Sequence, residues 1–354
     1  MDESKIELEY SQILEELVKA QKESNDLMRG FYETKKEKVD ITKAFSVLNF
    51  PSKGVYYPHK KKSVLIRYLT AIEEHVLTDS FLMESGRGIE LVLNNLIVDD
   101  LDIGKLLTGD FQALLIFLRS TSYGDKVEIS PTCPHCGKKA ENDFYLSSLD
   151  FKENNLLPDE AGKYYVEIPE IKLTFELSPM TLEKELEKNS LEGDENFFTF
   201  KDSEGVMKIK KSKTLSLLYY IDSVNGISDK IIIKKFLKTI PKMYTDRLLD
   251  FIKDNESGVQ DSIILTCPFC GEEFRQMTDM GYSFISLPYE YKETILEEIF
   301  LITYYGKGIT RQDAMGMPVY ERKWHIRRIK EELDKKAQAE KRSYASAKSK
   351  KGKF

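Results

Sequence analysis

Cys133-Pro134-His135-Cys136-Gly137 and Cys267-Pro268-Phe269-Cys270-Gly271 decide how this chain is read, because these two matching turns hold all four of its cysteines. A C-x-x-C turn closed by glycine presents two sulfurs on one side of a tight loop, and a tetrahedral ion takes two such loops. Each turn follows a stretch that reads as a β-strand, Lys126 to Ile129 before the first and Asp261 to Leu265 before the second. The pattern predicts one structural Zn2+ ion on Cys133, Cys136, Cys267 and Cys270. A redox dithiol would open a helix, whereas the continuations Lys138 to Leu146 and Glu272 to Met277 read as extended or polar. A catalytic zinc needs an open position, and four thiolates leave none. His135, between two ligands, is expected to point to solvent.

About 130 residues separate Cys136 from Cys267, where an ordinary zinc ribbon has roughly 15 to 20. Closing a loop of that length costs roughly 4 kcal/mol plus a constant. Structural zinc supplies about 10 to 16 kcal/mol, so the metal can hold a whole inserted domain by its two ends. The expected fold class is therefore α+β and predominantly helical, a split four-cysteine zinc-ribbon-like site with a large insertion and long terminal helices. The expected boundaries are an N-terminal amphipathic helix over 1–42, an α+β domain with the first knuckle over 43–146, and an inserted domain over 147–260. The second knuckle follows over 261–287, then a helical region over 288–343 and a disordered basic tail over 344–354.

The periodicity supplies the elements. Ile6, Tyr10, Ile13, Leu14, Leu17, Val18, Leu27, Met28 and Phe31 recur at mostly three- and four-residue steps, which predicts a long amphipathic helix over 5–38. Ser63 to Leu69 reads as a strand, followed by short helices over Thr70 to Leu77, Ser80 to Glu84, Gly88 to Leu96 and Leu101 to Ile103 with Leu106. Asp110 is expected to cap a helix running from Phe111 to Thr121. Lys163 to Ile168 and Lys172 to Leu177 alternate as a hairpin, and Thr181 opens a helix. The stretch from Asp194 to Lys210 shows no firm period. Helices are predicted over Leu215 to Ser223, Ser228 to Thr239, Met243 to Asp254 and Glu290 to Tyr305, with Thr310 and Asp313 forming a capping box. A last helix runs from about Val319 to Arg342.

At 354 residues the chain exceeds one compact core, and 41% hydrophobic residues is ordinary for a soluble protein. No apolar run approaches membrane-span length, and Met1-Asp2-Glu3-Ser4 lacks the basic and apolar regions of a signal peptide. The expectation is a protein that stays in the cytoplasm where it is made, where free thiols in metal spacing persist. The formal charge is −6, yet residues 321–354 carry 13 Lys and Arg against five Asp and Glu, a net +8 that leaves −14 elsewhere. A basic tail on an acidic body suits an acidic protein partner, a nucleic-acid arm or simply a solvated helix end. The body's charge and the lack of basic residues interleaved with aromatics near the knuckles weigh against nucleic acid, which stands as the alternative reading.

No catalytic constellation emerges. His59, His75, His135 and His325 are scattered, and there is no HExxH, GxxxxGK[ST] or GxSxG. Aromatic anchors dominate interface energetics, so Tyr320, Trp324, Ile326 and Ile329 on the last helix are the expected partner-binding cluster.

The order of several segments resembles baseplate hub and hub-assembly proteins of T4-like contractile-tailed phages. These are Leu48-Asn-Phe-Pro-Ser-Lys-Gly-Val-Tyr-Tyr57, Val64-Leu-Ile-Arg-Tyr-Leu-Thr-Ala-Ile-Glu-Glu74 and Asp110-Phe-Gln-Ala-Leu-Leu-Ile-Phe-Leu-Arg-Ser-Thr-Ser-Tyr-Gly124, then both cysteine turns, Tyr304-Tyr-Gly-Lys-Gly308 and Met317-Pro-Val-Tyr-Glu-Arg-Lys-Trp324. The likeness spans about residues 45 to 335. It implies a non-enzymatic tail protein made in the host bacterial cytoplasm, working with other hub and tape-measure components in the baseplate or during its assembly.

Overall fold

The structure, a computed structural model, describes residues 45–351 apart from 154–157, 160–161, 189–196, 203–204, 211–215, 260–261, 278–280 and 282–283. The helix expected over 1–42 and the last three residues of the tail lie outside the described residues. From Phe45 onward the chain forms one compact unit in which helices alternate with short antiparallel strands.

Strands β1 (Phe45–Asn49) and β2 (Ser63–Arg67) form an antiparallel ribbon. Helices α1 (Ala71–Leu77), α2 (Ser80–Glu84) and α3 (Arg87–Leu96) follow, close to the positions the sequence predicts. Thr70 and Glu73 make a capping box at α1, and Asp79 accepts from the Leu82 amide at α2, satisfying groups that a helix start leaves unpaired. The 101–106 stretch is a single 3-10 turn, Ile103–Lys105, rather than a helix.

Helix α4 (Thr108–Tyr123) buries Phe111, Leu114, Leu115 and Leu118 among Ile66, Leu69, Ile89, Leu93 and Leu96, the main core. Asp110 does not cap it. The helix begins two residues earlier, and the buried Asp110 carboxylate instead accepts from the Ser52 amide (2.9 Å), the Ser52 hydroxyl (2.6 Å) and the Tyr57 hydroxyl (2.6 Å). The Leu107 amide donates to Tyr57 Oη at 2.9 Å, so the loop over 48–58 is clamped onto the start of α4. Burial pushes the Asp110 carboxyl above its usual range, with the Ser52 and Tyr57 donors opposing that rise.

Strands β3 (Lys126–Ile129) and β4 (Asn142–Tyr145) flank the first cysteine turn as an antiparallel pair. After β5 (Phe151–Lys152) the chain departs into a long excursion. Within it β6 (Tyr164–Ile168) and β7 (Leu173–Leu177) form the predicted hairpin, followed by α5 (Leu182–Lys188). The aperiodic stretch forms a second hairpin, β8 (Phe197–Asp202) with β9 (Gly205–Lys210). Strand β10 (Ile221–Val224) adds to β7, where the sequence predicts a helix over Leu215 to Ser223. Leu217, Leu218, Tyr219 and Ile221 are all buried, a nearly continuous apolar run with no clear helical face, which suits a 3-10 turn leading into a covered strand. Helices α6 (Lys230–Thr239) and α7 (Lys242–Asn255) cover the sheet, and among the described residues their core draws on Tyr164 through Ile252.

The chain returns through β11 (Gly258–Val259), which pairs antiparallel with β5. The two ends of the excursion thus leave side by side. Gln112 on α4 accepts from the Val259 amide at 3.2 Å, and the backbone of Gly109 presses directly on this neck. A β-carbon on Gly109 would lie 2.2 Å from the Ser257 carbonyl oxygen and 2.7 Å from Gly258 Cα, backbone atoms that cannot step aside singly. Gly109→Ala should therefore cost roughly 2 kcal/mol or more through overpacking. A urea titration checks this, and an unchanged midpoint would mean that the neck yields.

Strands β12 (Ser262–Thr266) and β13 (Glu273–Met277) flank the second cysteine turn. Helix α8 (Tyr291–Tyr305), α9 (Arg311–Gly316) with its Thr310 and Asp313 capping box, and α10 (Val319–Lys351) complete the molecule. Helix α10 outruns its predicted end at Arg342 and includes residues 344–351, which the sequence reading left disordered. Neither glycine nor proline interrupts it before Gly352, and its Ala, Lys, Glu and Arg content favours helix. Among the described residues, no helix is long and apolar enough to cross a membrane.

Candidate metal centre

The two cysteine turns are built alike. In the first, the Cys133 amide donates to the Lys138 carbonyl and the Gly137 amide to the Cys133 carbonyl, both at 2.9 Å. In the second, the Cys267 amide donates to the Glu272 carbonyl and the Gly271 amide to the Cys267 carbonyl, again at 2.9 Å. Gly137 (φ 71°) and Gly271 (φ 75°) occupy the left-handed region, which glycine enters without steric cost and which lets the chain reverse directly after the second sulfur. The motif is therefore a complete local structure, fixed by its own residues.

What the sequence spacing could not fix is how the two turns meet, and packing settles it. Ile129, Ala140, Ile263, Leu265 and Phe274 from the two hairpins bury a small shared core together with Cys133 and Cys267. This brings Cys133 Sγ to 3.8 Å from Cys270 Sγ, and Cys136 Sγ to 3.7 Å from Cys267 Sγ. All four sulfurs lie within 4.8 Å of one another. These gaps are far longer than a disulfide bond of about 2.05 Å. Four sulfurs each about 2.3 Å from a central zinc would be separated by about 3.8 Å along every edge of the tetrahedron. The donor set thus has the size and chemistry of a four-thiolate site.

Cys133 and Cys267 are buried, and Cys136 and Cys270 are exposed. Burial raises the Cys267 thiol pKa, but amide donors from Phe269 and Cys270 and the adjoining thiols outweigh it and bring the group down to about 6. For Cys270 the Glu272 amide pulls downward, yet desolvation and its thiol neighbours prevail, and it is pushed up to about 12. One thiolate stabilised by its neighbours and a second resisting ionisation is how crowded thiols behave when no cation balances them. His135 is exposed and outside the cluster, as expected.

The expected partner residues divide. Tyr320 and Trp324 are 46% and 50% exposed, Tyr320 set edge-on to Tyr68, which in turn stacks on Phe117. Ile326 is buried and Ile329 partly so, both in a core shared with Ile295, Ile299 and Ile302 of α8. That half of the cluster faces inward, because a helix of period 3.6 puts positions 319, 326 and 329 opposite positions 320 and 324.

A buried charge network escaped the sequence reading. Arg322 is fully buried on α10, paired with Glu74 of α1 and, through Nε at 2.9 Å, with Glu298 of α8. Tyr123 at the end of α4 donates to Glu74 at 2.9 Å, and Lys323 adds to Glu298 and to the Tyr291 hydroxyl. Four helices meet at these side chains. A signal existed: Val319, Arg322, Ile326 and Ile329 follow the spacing of a core stripe, with the arginine standing where an apolar residue would.

Residues 55–284, well over half of the chain, match the family model described as T4 bacteriophage base plate protein. The matched stretch runs from the loop clamped on α4 through both cysteine turns. No curated protein and no solved structure matches.

Proposed function

The chain belongs to the T4 bacteriophage base plate protein family, and on that footing we propose that it is a non-enzymatic structural or assembly protein of the baseplate hub, fastened by one zinc ion. The observation that carries the metal assignment is the crossed set of sulfur contacts at 3.7 and 3.8 Å, made by residues from opposite ends of the excursion. With four thiolates bound, the ion has no open position for substrate or water and acts as a clasp. Its local work is to join the β3–β4 and β12–β13 hairpins, with the β5–β11 pair beside them as a second closure.

The setting is a host bacterial cytoplasm during assembly and the tail baseplate afterwards, with other hub proteins and the tape-measure protein as partners. Tyr320 and Trp324 supply the contact surface. Half-exposed aromatics on a helix whose opposite face is anchored in the core suit a docking role, since they are preset in position and lose little freedom on binding.

Metal analysis of protein purified without chelator should find one zinc per chain, and metal-free folded protein would remove the clasp. Trp324→Ala should leave the thermal midpoint within about one degree while weakening capture of tail proteins from infected cells roughly 30-fold or more, the scale of a hot-spot residue. A lowered midpoint with capture intact would instead make Trp324 a packing residue of its own domain.

A further inference from the structure

Helix α8 carries a second apolar surface that the metal clasp and the Tyr320–Trp324 surface leave unused. Leu296, Phe300 and Tyr304 repeat at four-residue steps and are 46%, 59% and 68% exposed. They project from the side of the helix opposite Ile295, Ile299 and Ile302, which face the core. The Phe300 and Tyr304 rings stack with centroids 5.4 Å apart, and Tyr305 stands edge-on to Tyr304 at 4.9 Å. Three large apolar side chains in a row on one exposed face form the kind of continuous patch that marks a contact surface.

The electrostatic surroundings are one-sided. Glu293 falls within this face and Glu297 along one margin, both exposed, and neither forms an ion pair among the described residues. Glu290, exposed at the start of the helix, extends the same margin. Lys292 lies toward the far margin, held over the Tyr289 ring at 4.5 Å. Most of the net +8 of residues 321–354 lies on α10, which packs through Ile326 and Ile329 on the Ile295–Ile299–Ile302 side of α8, away from these carboxylates.

We propose that the Leu296–Phe300–Tyr304 ridge docks an amphipathic helix of a partner protein whose apolar stripe is flanked by Lys or Arg. The apolar ridge provides the anchors and the unpaired glutamates select the charge. The basic end of α10 in a second copy is a poorer fit, because positions 334–351 offer charge but Tyr344 alone as a large apolar residue, where the ridge calls for a stripe.

The test uses the full chain and two labelled helical peptides with the same leucine stripe, one flanked by lysines and one by glutamates. The lysine peptide should bind at least about 10-fold more tightly in fluorescence anisotropy, with Phe300→Ala reducing its affinity about 10-fold or more. Glu293→Lys with Glu297→Lys should reverse the preference, which hydrophobic stickiness alone would not do. All three residues are exposed, so thermal midpoints should stay unchanged and confirm that the variants fold. Equal binding of the peptides, no binding of either up to about 100 μM, or no effect of Phe300→Ala overturns the proposal. A concentration-dependent dimer in sedimentation, abolished by Phe300→Ala, would overturn it in favour of self-association.

Discussion

Replacing Cys133 by Ser, or removing the metal with a strong chelator, is expected to open the region joining the two halves of the chain. Four-thiolate zinc contributes about 10 to 16 kcal/mol in small domains, and Cys133, the proposed ligand, is buried and belongs to the knuckle core. With the ion gone, the two-residue β5–β11 pair, the Gln112 contact and the backbone hydrogen bonds of Thr108 to Met180 and Leu182 to Leu106 still hold the excursion, while the knuckles lose the tie that offsets a loop entropy of roughly 4 kcal/mol. The loss should exceed about 4 kcal/mol, and with crowded thiols left behind it should appear as rapid amide exchange across 126–149 and 258–277. Cys270→Ser should behave alike, because its sulfur sits against Cys133 from the other turn. Full zinc content in a Cys133→Ser, Cys270→Ser double variant, measured by elemental analysis, would sink the four-thiolate assignment.

Arg322→Met is expected to cost about 3 to 5 kcal/mol, the scale for breaking a buried ion pair from one side. The guanidinium faces two carboxylates from different helices, and its removal leaves Glu74 fully buried and Glu298 nearly so, both without Arg322. The pH dependence gives this result a signature. Burial already raises the Glu74 pKa above 4.5, with Arg322 and the Tyr123 hydroxyl holding it back. Without the arginine the folded-state pKa rises further. A group whose folded pKa lies above its unfolded value adds stability below the unfolded pKa and loses it as pH climbs through the folded one. The deficit of the variant should therefore shrink as the pH is lowered from 7 toward 4.5, as Glu74 takes up a proton. Urea titrations at several pH values decide the matter, and a deficit that grows toward acid would show that Glu74 is not the stranded charge. Arg322→Met combined with Glu74→Gln and Glu298→Gln should recover much of the loss, since a network replaced whole strands no charge.

These two sites differ in how far the sequence reveals them. The knuckles were legible because a C-P-x-C-G turn is determined within six residues and each follows a short strand. The capping box at Thr310 was equally local. Asp110 misled, since a carboxylate ahead of an apolar run resembles a cap, whereas its partners Ser52 and Tyr57 come from more than 50 residues away. The Leu215 to Ser223 run misled for a different reason: burial of Leu217, Leu218, Tyr219 and Ile221 in near succession blurs the period by which helix and strand are told apart. Arg322 is the extreme case, where three charges are tolerable only together and nothing in any one helix announces the others.

The side-by-side exit of β5 and β11 governs how the molecule would carry tension. A pull applied at Phe45 and at the far end of α10 meets first the direct contacts between them, the Val319 to Leu69 hydrogen bond and the Arg322 to Glu74 pair, and leaves the excursion over 153–257 off the load path. Stretching a single molecule should thus part α10 from α1 first, with the excursion unravelling only in a later, separate lengthening.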